Sequence, residues 1–99
     1  MGDGERLALR QEMTLTRDEF LRALPAAVDG VAYTVDGDTI RSLAAGARWR
    51  IALTPLPELR LGMIRLARHR VEIFVEACDA TTERALLERF ELYFRRGGG

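Results

Sequence analysis

Residues 48–77, RWRIALTPLPELRLGMIRLARHRVEIFVEA, constrain what this chain can fold into more than any other stretch. Trp49, Ile51 and Leu53 alternate with Arg48, Arg50 and Thr54, the two-residue period of a strand with one face on a core. Pro55 and Pro57 cannot donate to a strand ladder and predict a loop. Leu59 and Leu61 resume the inward set, whereas Ile64 and Leu66 have the opposite parity. A bulge at Gly62 is therefore expected, swapping the two faces of one strand. The run Ala67-Arg68-His69-Arg70 predicts an Arg-rich turn, and Val71, Ile73, Val75 and Ala77 form the most regular strand.

The flanks supply helices to cover one face of such a sheet. Residues 1–12 mix glycine and charge without a sustained period and read as a loose, flexible arm. Thr16 then reads as a helix N-cap, Glu19 completes a capping box, and Leu15 with Phe20 forms a hydrophobic staple. Phe20, Leu21, Leu24 and Val28 make the buried stripe, Pro25 kinks or interrupts the helix, and Gly30 closes it. Residues 31–35 alternate, and Asp36-Gly37 predicts a two-residue hairpin loop with Tyr33 opposite Ile40. Ala44-Ala45-Gly46 predicts the next turn. Asp79 or Thr81 caps a final helix whose Leu86, Leu87, Phe90, Tyr93 and Phe94 fall within roughly 120° of arc. Arg95 and Arg96 lie at the negative end of its dipole, and Gly97 is the expected C-cap.

Ninety-nine residues make one domain. The expected fold is α+β: an antiparallel β-meander of about five strands with an N-terminal and a C-terminal helix packed on one face. The domain spans residues 13–96, preceded by the arm and followed by a glycine tail at 97–99.

Net charge is zero, but all fifteen basic residues are arginine. Codon bias in a GC-rich genome accounts for that more readily than selection for bidentate anion recognition does. The charges are segregated. Residues 1–40 carry four Arg against eight acids, 41–70 carry seven Arg against Glu58, and 71–94 carry two Arg against six acids. No apolar run approaches the ~18 residues needed to span a bilayer, and no secretion pattern opens the chain. A single cysteine cannot make an internal disulfide, so a reducing cytoplasm is the expected compartment.

Several chemistries find no support. Cys78 and His69 bracket one strand, roughly 30 Å apart at the usual rise, too far for a thiol–imidazole dyad within one subunit. One His and one Cys are too few for a closed zinc site, and Asp36-Gly37-Asp38 lacks the other ligands of a calcium loop. No glycine-rich strand-to-helix loop offers a nucleotide cradle. Glu72 and Glu76 share a strand face, where cross-strand arginines are the expected partners. No catalytic residue, metal ligand or cofactor is expected.

Three features remain as candidate functional surfaces. By parity the sheet face opposite the helices displays Thr34, Arg41, Arg48, Arg50, Arg60, Arg70, Glu72, Phe74 and Glu76. Phe74, Leu92, Arg48, Arg50 and Arg60 form a candidate interaction surface for a second copy or a protein partner, because Phe74 and Leu92 are apolar on outward faces. Arg65, Arg68, His69 and Arg70 are candidate anion or nucleic-acid contacts, although sheet binders of single-stranded RNA interleave more aromatics than Phe74 alone. Finally, the tail Phe94-Arg-Arg-Gly-Gly-Gly99 resembles the ends of ubiquitin-like sulfur carriers and modifiers. That resemblance implies adenylation of the terminal carboxylate; those proteins carry the tail after a strand, however, and here it follows a helix. The expectation is a non-catalytic interaction protein, self-associating through the open sheet face. Single-stranded RNA binding is the first alternative and a carrier role the second.

Overall fold

Seven elements follow in chain order: β1 (Glu5–Met13), α1 (Arg17–Ala27), β2 (Tyr33–Asp36), β3 (Thr39–Ser42), β4 (Arg48–Leu61), β5 (Ile64–Glu76) and α2 (Ala80–Gly97). This is a computed structural model, and it describes residues 4–43 and 48–97. The strands form one antiparallel sheet in the order β1-β5-β4-β3-β2. β2 to β5 are a meander, and β1 joins its end beside β5. The expected α+β class, strand number and pair of terminal helices are all present.

Local chemistry sets the helix ends. Thr16 Oγ1 accepts from Glu19 N at 3.1 Å while Glu19 Oε1 accepts from Thr16 N at 2.8 Å, the reciprocal pair of a capping box. Leu15 and Phe20 are both buried, as a staple requires. α1 runs on through Pro25. The missing N–H costs one ladder bond near the helix end, and Pro25 O accepts from Gly30 N at 2.9 Å in the closing turn. Asp79 starts α2, its Oδ1 accepting from Thr82 N at 2.7 Å. That bond holds the Asp79 carboxyl below its ordinary range.

One layer of core joins the helices to the sheet. Phe20 and Leu24 of α1 and Phe90 and Phe94 of α2 meet Ile40, Trp49, Ile51, Leu53, Val71, Ile73 and Val75. Phe20 stacks on Phe94 with ring centroids 4.7 Å apart and lies 6.1 Å from Phe90. Arg89 ties the helices together, its Nε donating to the Ala26 carbonyl at 2.7 Å.

Five local expectations are corrected. Residues 5–13 are not a loose arm but the edge strand β1. Its period is broken by an irregularity between Leu7 and Leu9, which puts Leu9 opposite Ile73 and Leu7 opposite Phe74. Pro55 and Pro57 do not make a loop; β4 passes through both. Leu53 N donates to Asp38 O, so odd-numbered β4 residues point their N–H toward the outer edge. Pro55 therefore sits where the absent N–H would have faced solvent. The bulge lies between Leu56 and Leu59, not at Gly62, and Gly62-Met63 is instead the β4–β5 hairpin loop, with Gly62 at φ 63°. Residues 67–70 are the middle of β5, not a turn. Finally, the β2–β3 loop is Gly37-Asp38, so Val35 rather than Tyr33 faces Ile40. The expected turn at residues 44–46 and the last two glycines lie outside the described residues.

Candidate interaction surface

The sheet face away from the helices has two parts of different chemistry. Its centre is an ion-paired lattice created by β1. Glu5 accepts from Arg50 Nε and Nη2, both at 2.9 Å, in a bidentate pair, and the same guanidinium lies 4.1 Å from the centre of the Phe74 ring. Arg10 pairs with Glu72 at 2.9 Å and Arg68 with Glu12 at 2.8 Å, both running between β1 and β5. Arg48 stands opposite Glu76 in the β4–β5 register. A shallow depression of about 130 Å³ opens here, bounded by Arg41, Arg48, Arg50, Phe74 and Glu76.

Phe74 is thus half-buried under Arg50 rather than bare, and Arg50 is committed to Glu5. The hydrogen bond from Arg50 holds the Glu5 carboxyl below its ordinary value, while the carboxylate holds Arg50 charged. A lowered native pKa gives stability that is present above the unfolded value near 4.5 and is lost as pH falls through the folded value. Glu5→Gln is accordingly expected to lower the urea midpoint at pH 7, by an amount that shrinks as pH falls below the unfolded value. A deficit that persists undiminished at pH 3 rules out this charge pair as its source.

The second part is the distal half of the β4–β5 hairpin. β3 reaches β4 only as far as Ala52 and Leu53, and β1 leaves β5 at His69, where His69 Nδ1 donates to the Leu15 carbonyl at 3.0 Å. Among the described residues, 54–68 therefore form a two-stranded ribbon that no third strand flanks. Thirteen steps along β4 cover about 43 Å, which accounts for the 46 Å long axis of the molecule.

The bulge between Leu56 and Leu59 decides what this ribbon shows. It adds one residue to β4 and inverts its parity, so Leu59 faces Leu66 and Leu61 faces Ile64. Even-numbered β5 residues continue the open face of Phe74 and Glu72, so these four aliphatic side chains share that side. Leu59 and Leu61, expected to face inward, are thus outward, and Arg60, expected on the open face, lies with its register partner Arg65 on the other, because the bulge precedes all three. Met63 at the tip is 98% exposed, Ile64 58%, Leu61 55% and Leu59 38%, in one contiguous group. Single exposed apolar residues are ordinary, whereas a cluster of this kind marks a contact surface.

The candidate residues are thus divided. Arg48, Arg50 and Phe74 lie at the sheet centre, Arg60, Arg65 and Arg68 on the ribbon, and His69 and Arg70 at its base. Leu92 is 52% exposed on α2, apart from both. Cys78 follows β5 at the end far from His69, half-buried against the core. Burial, followed by the nearby Asp79 and Glu83 carboxylates, pushes its thiol up, which disfavours the thiolate a nucleophile needs. No group of three potential metal ligands occurs among the described residues, and no described helix is long and apolar enough to cross a membrane. The sequence signal for the ribbon was Leu61-Gly62-Met63-Ile64. Gly-X between apolar flanks is a two-residue hairpin loop, and that register directly gives the Leu61–Ile64 and Leu59–Leu66 pairs. Comparisons with protein-family models, curated proteins and solved structures find no match.

Proposed function

We propose that the chain is a non-catalytic interaction module of the cytoplasm that associates with a second copy of itself through the open side of its sheet. The observation that carries this proposal is the ribbon's cluster of Leu59, Leu61, Met63, Ile64 and Leu66. A two-stranded ribbon is marginal by itself in water, so an extended one with an aliphatic face gains from being covered. The neutralised sheet centre contributes less, since Arg50 and Phe74 already satisfy each other.

Light scattering across micromolar concentrations is expected to give twice the 11.1 kDa chain mass. Leu61→Ser with Ile64→Ser should return it to one chain mass without changing the far-ultraviolet spectrum, because both side chains are exposed in the single chain. A wild type that stays at one chain mass throughout sinks the proposal.

Nucleic-acid binding is the second reading. It draws on Arg48, Arg60, Arg65 and Arg70, which have no ion pair among the described residues. The same samples discriminate: a complex with single-stranded RNA that weakens steeply with salt, through counterion release, would favour this reading instead.

A further inference from the structure

The register of the sheet centre sets two arginines side by side. Leu53 N donates to Asp38 O, so Asp38–Leu53 and Ile40–Ile51 carry the β3–β4 hydrogen bonds, and Arg41 faces Arg50 in the pair between Ile40–Ile51 and the strand end. In a pair of that kind the Cα atoms are about 4.5 Å apart and the side chains are closest, and like charges so opposed repel. Arg48, two residues along β4, is the diagonal neighbour of Arg41 on the same open face. Three guanidinium groups thus border the shallow depression of about 130 Å³. Arg50 gives Nε and Nη2 to Glu5, and its other N–H groups remain available. Arg41 and Arg48 make no ion pair among the described residues. Two carboxylates share the depression. Glu5 is held by Arg50 at both oxygens. Glu76 stands opposite Glu5 in the β1–β5 register and leans to the β1 side, where a Cβ on Gly4 would come within 2.9 Å of its Cγ. The β3–β4 end of the depression is therefore basic and uncompensated, and its acids lie at the β5–β1 end.

We infer that the basic end of this depression binds a phosphate group, clamped by Arg41 and Arg48 with Arg50 as the third donor. The guanidinium fork matches phosphate oxygens bidentately. Forks converging from three positions suit a tetrahedral ion, which presents oxygens on every side, better than a planar carboxylate, which a single fork satisfies. The depression is far below the roughly 300–1,000 Å³ of pockets for organic ligands. It takes the phosphate itself, and whatever carries that phosphate stays outside, beyond the exposed Arg41 and Arg48. A bound anion also relieves the opposition of Arg41 and Arg50. Glu5 relieves it only in part, because Arg41 acts on that carboxylate through space while Arg50 holds both of its oxygens. Breaches of local pairing rules are expected where a chain binds something. The site lies at the sheet centre, apart from the aliphatic ribbon, and does not rest on self-association. The free ion and a small phosphate monoester offer it the same chemistry.

The test is a nuclear magnetic resonance titration of the isotope-labelled chain, following the amide and Nε–Hε signals of the arginines while inorganic phosphate replaces chloride at constant ionic strength. Arg41, Arg48 and Arg50 should shift together and saturate with a Kd on the order of 1 mM, the strength of two or three exposed charge-assisted hydrogen bonds. Arg60, Arg65 and Arg70 should stay still. Arg41→Gln and Arg48→Gln should each weaken binding about 10-fold or more, and Arg65→Gln should not. All three variants should keep the wild-type far-ultraviolet spectrum, because all three side chains are exposed. Saturation of the same signals by glycerol phosphate extends the ligand to phosphate monoesters, and saturation by inorganic phosphate alone restricts it to the free ion; either result supports the site. Shifts that rise without saturating, or that spread equally over Arg60, Arg65 and Arg70, overturn it. Saturation by a single-stranded oligonucleotide in a sample that inorganic phosphate leaves unmoved also overturns it, and transfers these arginines to the nucleic-acid reading.

Discussion

Phe20→Ala is expected to lower the unfolding free energy by about 3–5 kcal/mol, the range for truncating a buried aromatic ring. Phe20 is fully buried at the point where both helices meet the sheet. Its ring touches Phe90 and Phe94 in the tilted and stacked arrangements that add to simple burial. Neither helix can close over the vacated volume alone, because Arg89 pins α2 to the end of α1 through the Ala26 carbonyl. A 99-residue domain has roughly 5–15 kcal/mol of stability in all, so this one change consumes a large share of it. The measurement is the urea midpoint of the far-ultraviolet signal, expected to fall with an unchanged slope. A shift worth under 1 kcal/mol would mean that the three rings do not form the shared core seen here.

The second large effect is at Trp49. It is 4% exposed, stands opposite Val75 in the β4–β5 register and lies 6.1 Å from the Tyr33 ring. Trp49→Ala should cost about 3 kcal/mol, at the lower end of the range for such truncations. The reason is its surroundings. Trp49 lines a largely apolar groove of about 290 Å³ between Val28, Val31, Ala85 and Leu86, which opens to solvent. Water can enter the space left behind, so less of it remains as an empty cavity. Since Trp49 is the one tryptophan, loss of its fluorescence cannot report unfolding, and circular dichroism under urea is the readout. A cost equal to that of Phe20→Ala would show the site to be as closed as the helix–helix core.

Much of the fold was legible because each signal was local and several agreed. The capping box at Thr16 and Glu19 needs only four residues and appears as expected. The alternation of Trp49, Ile51 and Leu53 and of Val71, Ile73 and Val75 set the inner face of both central strands. Two of the failures share one cause. A bulge at Leu7/Leu9 hid β1 by breaking its period, and a bulge between Leu56 and Leu59 hid the continuity of β4. At the second site, the parity conflict between Leu59/Leu61 and Ile64/Leu66 is visible in the sequence, but it points to Gly62 as readily as to the stretch between Leu56 and Leu59. One extra residue inverts every side chain beyond it, and a conflict of that kind does not say where along the strand the residue sits.

The prolines misled for a related reason. A proline forbids only the hydrogen bond its own nitrogen would make, and whether that nitrogen faces a neighbour or open water depends on which strands lie alongside. β3 stops at Leu53, so Pro55 faces an open edge and the strand continues.

By itself, the sequence determined the helix starts, the inward faces of β4 at residues 49–53 and of β5 at 71–75, the α+β class and the absence of the usual metal and nucleotide motifs. These depend on neighbours within a few residues or on strict periodicity. Only the tertiary structure decided that residues 5–13 join the sheet and that Glu5, Arg10 and Glu12 neutralise its open face. It also decided that β4 and β5 run past their partners as an aliphatic ribbon. The joining of β1 is fixed by pairing between segments more than fifty residues apart, as Glu5 with Glu76 and Met13 with His69 show, and the bare ribbon by where β1 and β3 stop alongside β5 and β4. The energy of such pairing belongs to the assembled sheet and to no single stretch of chain.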